Sequence, residues 1–86
     1  MPEFKKIYLD ARKMEHPEPL EKSMKIIRSL DEHSYFYMLH RKKPVPLIDL
    51  AETHHFQVFT KEDENKHWHI LICKNQTINL SDLLDV

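Results

Sequence analysis

The sequence predicts a two-layer α/β sandwich, in which a four-stranded mixed sheet carries two helices on one face. Apolar patterns along the 86 residues follow the order β-α-β-α-β-β. Two Pro-x-Pro-Leu segments, residues 17–20 and 44–47, each come after a strand pattern and begin a helical one. A short charged segment, 61–66, separates the last two strands. Strands that alternate with helices pair in parallel through right-handed crossovers, whereas a short turn joins antiparallel strands, so the sheet is mixed.

The first three elements follow from composition and spacing. Residues 4–10 alternate around Ile7 and Leu9 and predict a strand. From about Pro17 to about Leu30, apolar residues recur every three or four positions, which is typical of a helix with one buried face. Residues 35–40 are almost continuously apolar and aromatic, which favours a central strand.

The second half gives a helix and a hairpin. We predict a helix from about Val45 to His54, a strand over 56–60, a turn over 61–66 and a strand over 67–73. Because glycine is absent, we expect any left-handed backbone position to fall on Asn or Asp, and here on Asn65 or Asp63. Alternation in the last strand directs Trp68, Ile70 and Ile72 to the helices, and His67, His69, Leu71 and Cys73 to the open face.

Length and composition indicate one small domain, which we assign to residues 1–74. Residues 75–86 form a tail, either a short helical turn after Ser81 or a flexible end. No apolar run approaches the roughly 18 residues that cross a membrane, and residues 1–10 lack the pattern of a secretory signal. We therefore expect a cytoplasmic protein that makes no use of a membrane.

Charge and glycine content exclude several functions. A net charge of −1 argues against a nucleic-acid partner, although Arg41, Lys42 and Lys43 form one local basic cluster. That cluster is either a solvated loop or part of an anion site. Without glycine the chain has no phosphate-binding loop of the nucleotide-dependent enzymes.

The predicted topology brings two loops to one edge of the sheet. Both strand-to-helix loops leave the carboxyl edge of a parallel pair, so we expect His16 and the segment 40–43 to face one crevice. The candidate ligand-binding residues in that crevice are His16, Pro17, Glu18, Pro19, His40, Arg41 and Lys43.

Three stretches carry a family resemblance. They are LDARKMEHPEPLEKSMKIIRSL (9–30), LHRKKPVPLIDLAETHHF (39–56) and KHWHILICK (66–74). Together they resemble the TusA/SirA-like superfamily of small sulfur carriers, and the later two are most similar to an uncharacterised branch of it, a domain-of-unknown-function family. The resemblance implies the same sandwich and a Cys-Pro-x-Pro start to the first helix. Here His16 occupies the position of that sulfur-carrying cysteine. Sulfur transfer needs a thiolate, so we do not expect it to be retained.

The leading hypothesis is therefore a non-enzymatic binding or interaction module, whose crevice recognises a small ligand or a protein partner. No Ser-His-Asp order and no carboxylate pair placed for acid–base chemistry is evident. An alternative, among seven histidines, is a zinc or copper site formed by His16 and His40, with an oxygen ligand from Glu15 or Glu18. Otherwise no cofactor is expected.

Three further alternatives stay open. His16 either caps the first helix through its ring or offers a lone pair to a ligand. Cys73 is either an inert buried thiol or the centre of a residual sulfur or redox activity. Leu71, together with Tyr8 and with Tyr35 or Tyr37, would form an exposed apolar patch on the open face, through which a homodimer would form.

Overall fold

The strands and helices follow in the predicted order. The computed structural model describes residues 4–83. The strands are β1 (Lys5–Asp10), β2 (Ser34–His40), β3 (Gln57–Glu62) and β4 (Trp68–Cys73), and the helices are α1 (Glu18–Ser29) and α2 (Val45–Thr53). A short 3-10 helix, Leu80–Leu83, follows β4, and residues 84–86 of the predicted tail lie outside the described residues.

The sheet is mixed, as predicted. Its strand order is β1-β2-β4-β3. β1 and β2 are parallel, while β4 is antiparallel to both of its neighbours, β2 and β3. The carboxyl ends of β1 and β2 therefore lie at the same edge, where the loops leading into α1 and α2 begin.

Both helices cover one face of the sheet. Phe36 and Met38 of β2 and Ile70 and Ile72 of β4 are fully buried there. They pack with helix residues Ile27, Leu47 and Ala51, and with Leu30 after α1. Trp68, Ile70 and Ile72 face the helices, which confirms the predicted alternation of β4.

The two Pro-x-Pro-Leu segments begin the helices in the same way. Pro17 and Pro44 are the N-cap residues, and Pro19 and Pro46 occupy the second helical position. Proline fits there because its fixed φ suits a helix and its missing N–H would otherwise be unpaired. Neither cap residue supplies a side-chain hydrogen bond to its helix.

The β3–β4 turn differs from the prediction. β3 extends to Glu62, because Lys61 and Glu62 pair with His69 and Trp68. The residue with positive φ is Lys66 (63°), so the prediction of Asn65 or Asp63 was wrong. The last residue of a three-residue hairpin loop takes the left-handed conformation, whatever its type.

A second left-handed residue ends α2. His55 has φ of 65° and follows the C-cap residue His54. The N–H groups of His55 and Phe56 donate to the carbonyls of Glu52 and Ala51, the pairing of a Schellman motif. The expectation that only Asn or Asp would take such positions was wrong here too, since the motif dictates the position and the chain has no glycine to place there.

The second face of the sheet is less open than predicted. Leu71, Tyr35 and Tyr37 are buried there, because the C-terminal segment packs across it and Leu80 is only 1% exposed. Tyr8 alone of the predicted patch is exposed, at 52%. The expected apolar patch was therefore wrong for three of its four residues, while dimer formation through this face stays a prediction.

Residues 4–83 contain no helix that has both the length and the apolar character needed to cross a membrane.

Candidate functional site

A cavity of about 410 Å³ opens at the carboxyl edge of β1 and β2. The β1–α1 loop provides one wall, and the β2–α2 loop together with the start of α2 provides the other. Five of the candidate residues line this cavity: His16, Pro19, His40, Arg41 and Lys43. The two loops meet here because parallel strands send both chains out at the same edge.

Two of the candidates do not line the cavity. Pro17 is the exposed N-cap of α1, and the peptide bond between His16 and Pro17 is cis. Glu18 points its carboxylate to solvent, where an oxygen lies 3.7 Å from Nζ of Lys22, one helical turn later. That exposed ion pair contributes little to stability.

Most of the apolar lining was not predicted. It consists of Met14, Leu20, Met38, Pro44, Pro46 and Leu47, and the polar lining also includes Glu15 and Lys42. The repeated Pro-x-Pro-Leu segments carried a usable signal, because both of them border the cavity. No signal in the sequence marked Met14 in its loop, and Met38 was indistinguishable from the rest of a buried strand.

His40 is the most enclosed polar group of the cavity. It ends β2 on the helix-covered face and is 9% exposed. The backbone N–H of Lys42 donates to its Nδ1 over 3.2 Å. Burial lowers the pKa of His40, and the neighbouring charges of Arg41 and Lys42 lower this pKa further. The ring is therefore neutral near pH 7, and because Nδ1 accepts a hydrogen bond the proton sits on Nε2.

The helix starts also contribute backbone donors. In α1 the N–H groups of Glu18 and Glu21 donate to carbonyls of the preceding loop, and Pro19 has no N–H. Leu20 is left with a backbone N–H that has no partner among residues 4–83. Leu47 stands in the same position in α2, between Pro46 and the paired N–H of Ile48, and its own N–H is likewise unpaired in the described chain.

The ring of His16 does not cap α1. The side chain is exposed, and no hydrogen bond joins it to the helix start within the described residues. Of the two roles that the sequence left open, capping therefore has no contact to support it. His16 stands at the mouth of the cavity, where its ring is accessible to a ligand.

Lys43 connects the cavity to the single tryptophan of the chain. Its Nζ lies 5.5 Å from the centroid of the Trp68 ring, which is a cation–π distance. Lys43 lines the cavity, so an occupant that attracts its ammonium group would draw it away from the indole.

Metal ligation has limited geometric support. Within residues 4–83 no three His, Cys, Asp or Glu side chains come together in a group that would hold a metal ion. Coordination through Nε2 of His40 would also require its proton to move to Nδ1, breaking the hydrogen bond from Lys42. His69 is not free to bind a metal either, since both of its ring nitrogens are hydrogen-bonded.

Cys73 has the environment of a structural thiol. It is fully buried, and its Sγ donates to the carbonyl oxygen of Asn75 over 3.0 Å. Burial raises the pKa of this thiol, so the reactive thiolate is disfavoured. Cys73 does not line the cavity.

A buried polar chain on the second face was missed by the sequence analysis. Nδ1 of His69 is hydrogen-bonded to the hydroxyl of Tyr37, and Nε2 lies 2.8 Å from a carboxylate oxygen of Asp63. Because the carboxylate only accepts, Nε2 of His69 donates to it. The hydrogen bond from His69 lowers the pKa of Asp63 to about 2, with help from the backbone N–H of His67. Tyr37, His69 and Asp63 do not line the cavity.

Comparison with known proteins identifies relatives of this fold. The model of a family described as "Uncharacterized conserved protein (DUF2249)" matches residues 8–74. The crystal structure of a SirA-like protein from Desulfitobacterium hafniense superimposes with a TM-score of 0.70 at 21% identity, over 80% of this chain and 97% of that one. A search of curated proteins found no match. The matched residues include both loops of the cavity, whereas the C-terminal segment lies beyond them.

Proposed function

The chain belongs to the DUF2249 family of uncharacterized conserved proteins, and we propose that it is a non-enzymatic binding module that holds a small ligand between its two strand-to-helix loops. One observation carries this proposal: His16, His40 and the basic residues after β2 surround a single cavity. Its volume of about 410 Å³ falls within the range of roughly 300–1,000 Å³ that is common for small-molecule sites.

The shape of the site favours a small ligand over a protein partner. The lining combines apolar side chains with a few polar groups, which is the usual composition of a ligand pocket. A protein partner would need a larger exposed apolar surface, and Val45 is the only large exposed apolar residue near this edge among residues 4–83.

The resemblance to small sulfur carriers does not require sulfur transfer to be retained. Position 16 holds an imidazole, which cannot form a persulfide, and Cys73 is buried with a raised pKa. After incubation with a low-molecular-weight persulfide donor, we expect the intact mass of the native protein to stay unchanged. Transfer of sulfur onward to an acceptor thiol would contradict the proposal.

Ligand binding can be tested with methionine methyl groups labelled with ¹³C. Met14 and Met38 line the cavity, whereas Met24 lines a separate groove between α1 and α2 and serves as an internal control. We would titrate the protein with hexanoate, hexanamide and hexylammonium, which share a chain length and differ in charge. At least one probe should shift the Met14 and Met38 signals in a saturable way and leave the Met24 signal in place. Shifts of Met24 alone, or of none of the three signals with any probe, would refute a ligand site in the cavity.

The same spectra test the metal alternative. If His16 and His40 bind zinc or copper(I), titration with either ion should shift Met14 and Met38 with a sharp one-to-one end point. The geometry of His40 favours weak, non-saturating shifts instead, because its Nδ1 is engaged by Lys42.

A further inference from the structure

We propose that the ligand of this cavity is a small oxyanion joined to an apolar body. The oxyanion lies between the starts of the two helices and accepts a hydrogen bond from Nε2–H of His40. This inference rests on the proposed function, because it specifies the chemical class of ligand that the same cavity would take. A carboxylate or a sulfonate head group on an alkyl or aryl body meets the description.

The first argument concerns hydrogen-bond donors. His40 is nine-tenths buried and lines the cavity, and its Nε2–H has no partner within residues 4–83. The backbone N–H groups of Leu20 and Leu47, also lining residues, are unpaired in the same part of the chain. All three groups donate and none accepts. A ligand that satisfies them has to present acceptor atoms, as an oxyanion does.

The second argument concerns charge. Arg41, Lys42 and Lys43 line one wall, and Glu15 is the one acidic residue among the described lining residues. The starts of α1 and α2 add positive ends of two helix dipoles to the same region. Together, these positive charges and helix dipoles favour the binding of an anion. They disfavour a metal cation, because the three positive side chains would repel it.

The third argument concerns the rest of the cavity. Met14, Met38, Leu20 and Leu47 give it an apolar wall, which an inorganic anion would leave uncovered. Burying an alkyl or aryl body there contributes about 25 cal/mol per Å² of apolar surface removed from water. An oxyanion with an apolar body therefore uses both parts of the site, while phosphate alone would use one.

The probe series separates this inference from the proposed function. Hexanoate and hexanesulfonate should bind at least about tenfold more tightly than hexanamide, because charge-assisted hydrogen bonds are about twice as strong as neutral ones. Inorganic phosphate should bind more weakly than hexanoate, and hexylammonium should bind weakest. Fluorescence of Trp68 gives a second readout, since Lys43 lies over its ring.

Variants of His40 test the donor directly. In His40→Gln the side-chain amide reaches the position of Nε2 and keeps a donor in the cavity, so hexanoate affinity should fall only slightly. In His40→Asn the amide takes the position of Nδ1 instead, which keeps an acceptor for the N–H of Lys42 and loses the cavity donor. Affinity should then fall about tenfold, which corresponds to one hydrogen bond to a charged group. A purely structural role for His40 would give the opposite order.

Charge variants complete the test. Arg41→Gln combined with Lys43→Gln should weaken hexanoate binding and leave hexanamide binding unchanged. Lys25→Gln, which removes a charge from an exposed residue of α1 outside the cavity, should have no effect on either probe. Tighter binding of hexanamide or hexylammonium than of hexanoate would overturn the oxyanion inference and leave the ligand site standing. Failure of every probe would overturn both.

Discussion

At the scale of single residues, two positions carry a left-handed backbone without glycine. His55 ends α2 and Lys66 ends the β3–β4 loop, with φ of 65° and 63°. The left-handed conformation costs a residue with a Cβ roughly 1–2 kcal/mol of conformational free energy, and histidine adopts it more often than most other residue types. Both positions are imposed by the hydrogen bonds of the motif around them.

Replacing His55 with glycine should therefore stabilise the protein. His55→Gly removes the steric cost at Cβ but adds backbone freedom to the unfolded chain, so we expect a gain of about 0.5–1 kcal/mol. Urea denaturation should show a higher midpoint and an unchanged slope. His54→Gly, at φ of −91°, is the control and should show no gain. A loss of stability in His55→Gly would mean that the imidazole itself supports the helix end.

Asp63 gives a pH dependence with a defined sign. Its pKa is about 2 in the folded protein, below the ordinary 3.8, chiefly because His69 donates to it. Folding therefore favours the ionised carboxylate. This contribution is fully present above about pH 4 and is lost as the pH falls through 2.

The measurement compares wild type with Asp63→Asn, which keeps an acceptor for the backbone of the turn and removes the charge. The wild type should be the more stable of the two at pH 6, and the difference in unfolding free energy should shrink between about pH 4 and pH 2. Glu64→Gln, an exposed change in the same loop, is the matched control. A wild-type advantage that is the same at pH 5 and at pH 2.5 would exclude the carboxylate of Asp63 as its source.

At the scale of elements, the C-terminal segment is part of the folded structure. Nε2 of Gln57 donates to the carbonyls of Asn75 (3.1 Å) and Ile78 (2.9 Å), which fixes the segment against β3. Asn79 accepts from the backbone N–H and hydroxyl of Ser81, so Asn79 provides the cap of the 3-10 helix. The predicted helical turn after a Ser81 cap thus begins two residues earlier, at Leu80 after an Asn79 cap.

Leu80→Ala tests how much this segment contributes. Leu80 is buried with Leu71 and Tyr35 on the second face, so its truncation should lower the free energy of unfolding by about 2–4 kcal/mol. Leu83→Ala, at a half-buried position of the same helix, should cost clearly less. Both can be measured by thermal and urea denaturation. Equal effects of the two substitutions would indicate that the segment contacts the sheet only loosely.

The elements also show where sequence patterns stop being informative. Local composition and periodicity predicted every strand and both main helices, and alternation assigned the faces of β4, because each depends on residues close together in the sequence. The hydrogen bonds that link Tyr37, His69 and Asp63 depend instead on the pairing register of β2 and β4. Tyr37 pairs with Leu71, so His69 is its diagonal neighbour, and a shift of one residue would separate them. No local pattern fixes that register.

At the scale of the whole molecule, topology assembles the candidate site. β1 and β2 are parallel, so the loops that follow them leave one edge, and this could be predicted from the order of elements. His16 and His40 were placed together on that basis. The places of Met14 and Met38 in the apolar wall could not be predicted, because these residues reach the cavity only through the packing of α1 and α2 on the sheet.

The last prediction joins ligand binding to the stability of the whole fold. A ligand that binds only the native state stabilises it by RT ln(1 + [L]/Kd), or about 1.4 kcal/mol at ten times Kd. For a domain of this size, such a gain raises Tm by roughly 5–10 °C. Hexanoate at ten times the Kd from the NMR titration should produce this shift in the wild type.

The variants then assign the shift to the cavity. Arg41→Gln with Lys43→Gln should lose most of the shift at the same hexanoate concentration, while Lys25→Gln should keep it. Hexanamide at equal concentration controls for solvent effects of the alkyl chain, and its roughly tenfold weaker binding should raise Tm by at most about a third as much as hexanoate does. An equal rise in Tm for the double variant would mean that hexanoate stabilises the fold from somewhere else. A ligand raises Tm only through contacts that the native state makes and the unfolded chain lacks. A Tm shift that is lost with Arg41 and Lys43 would therefore place the bound hexanoate in the cavity at the edge of the sheet.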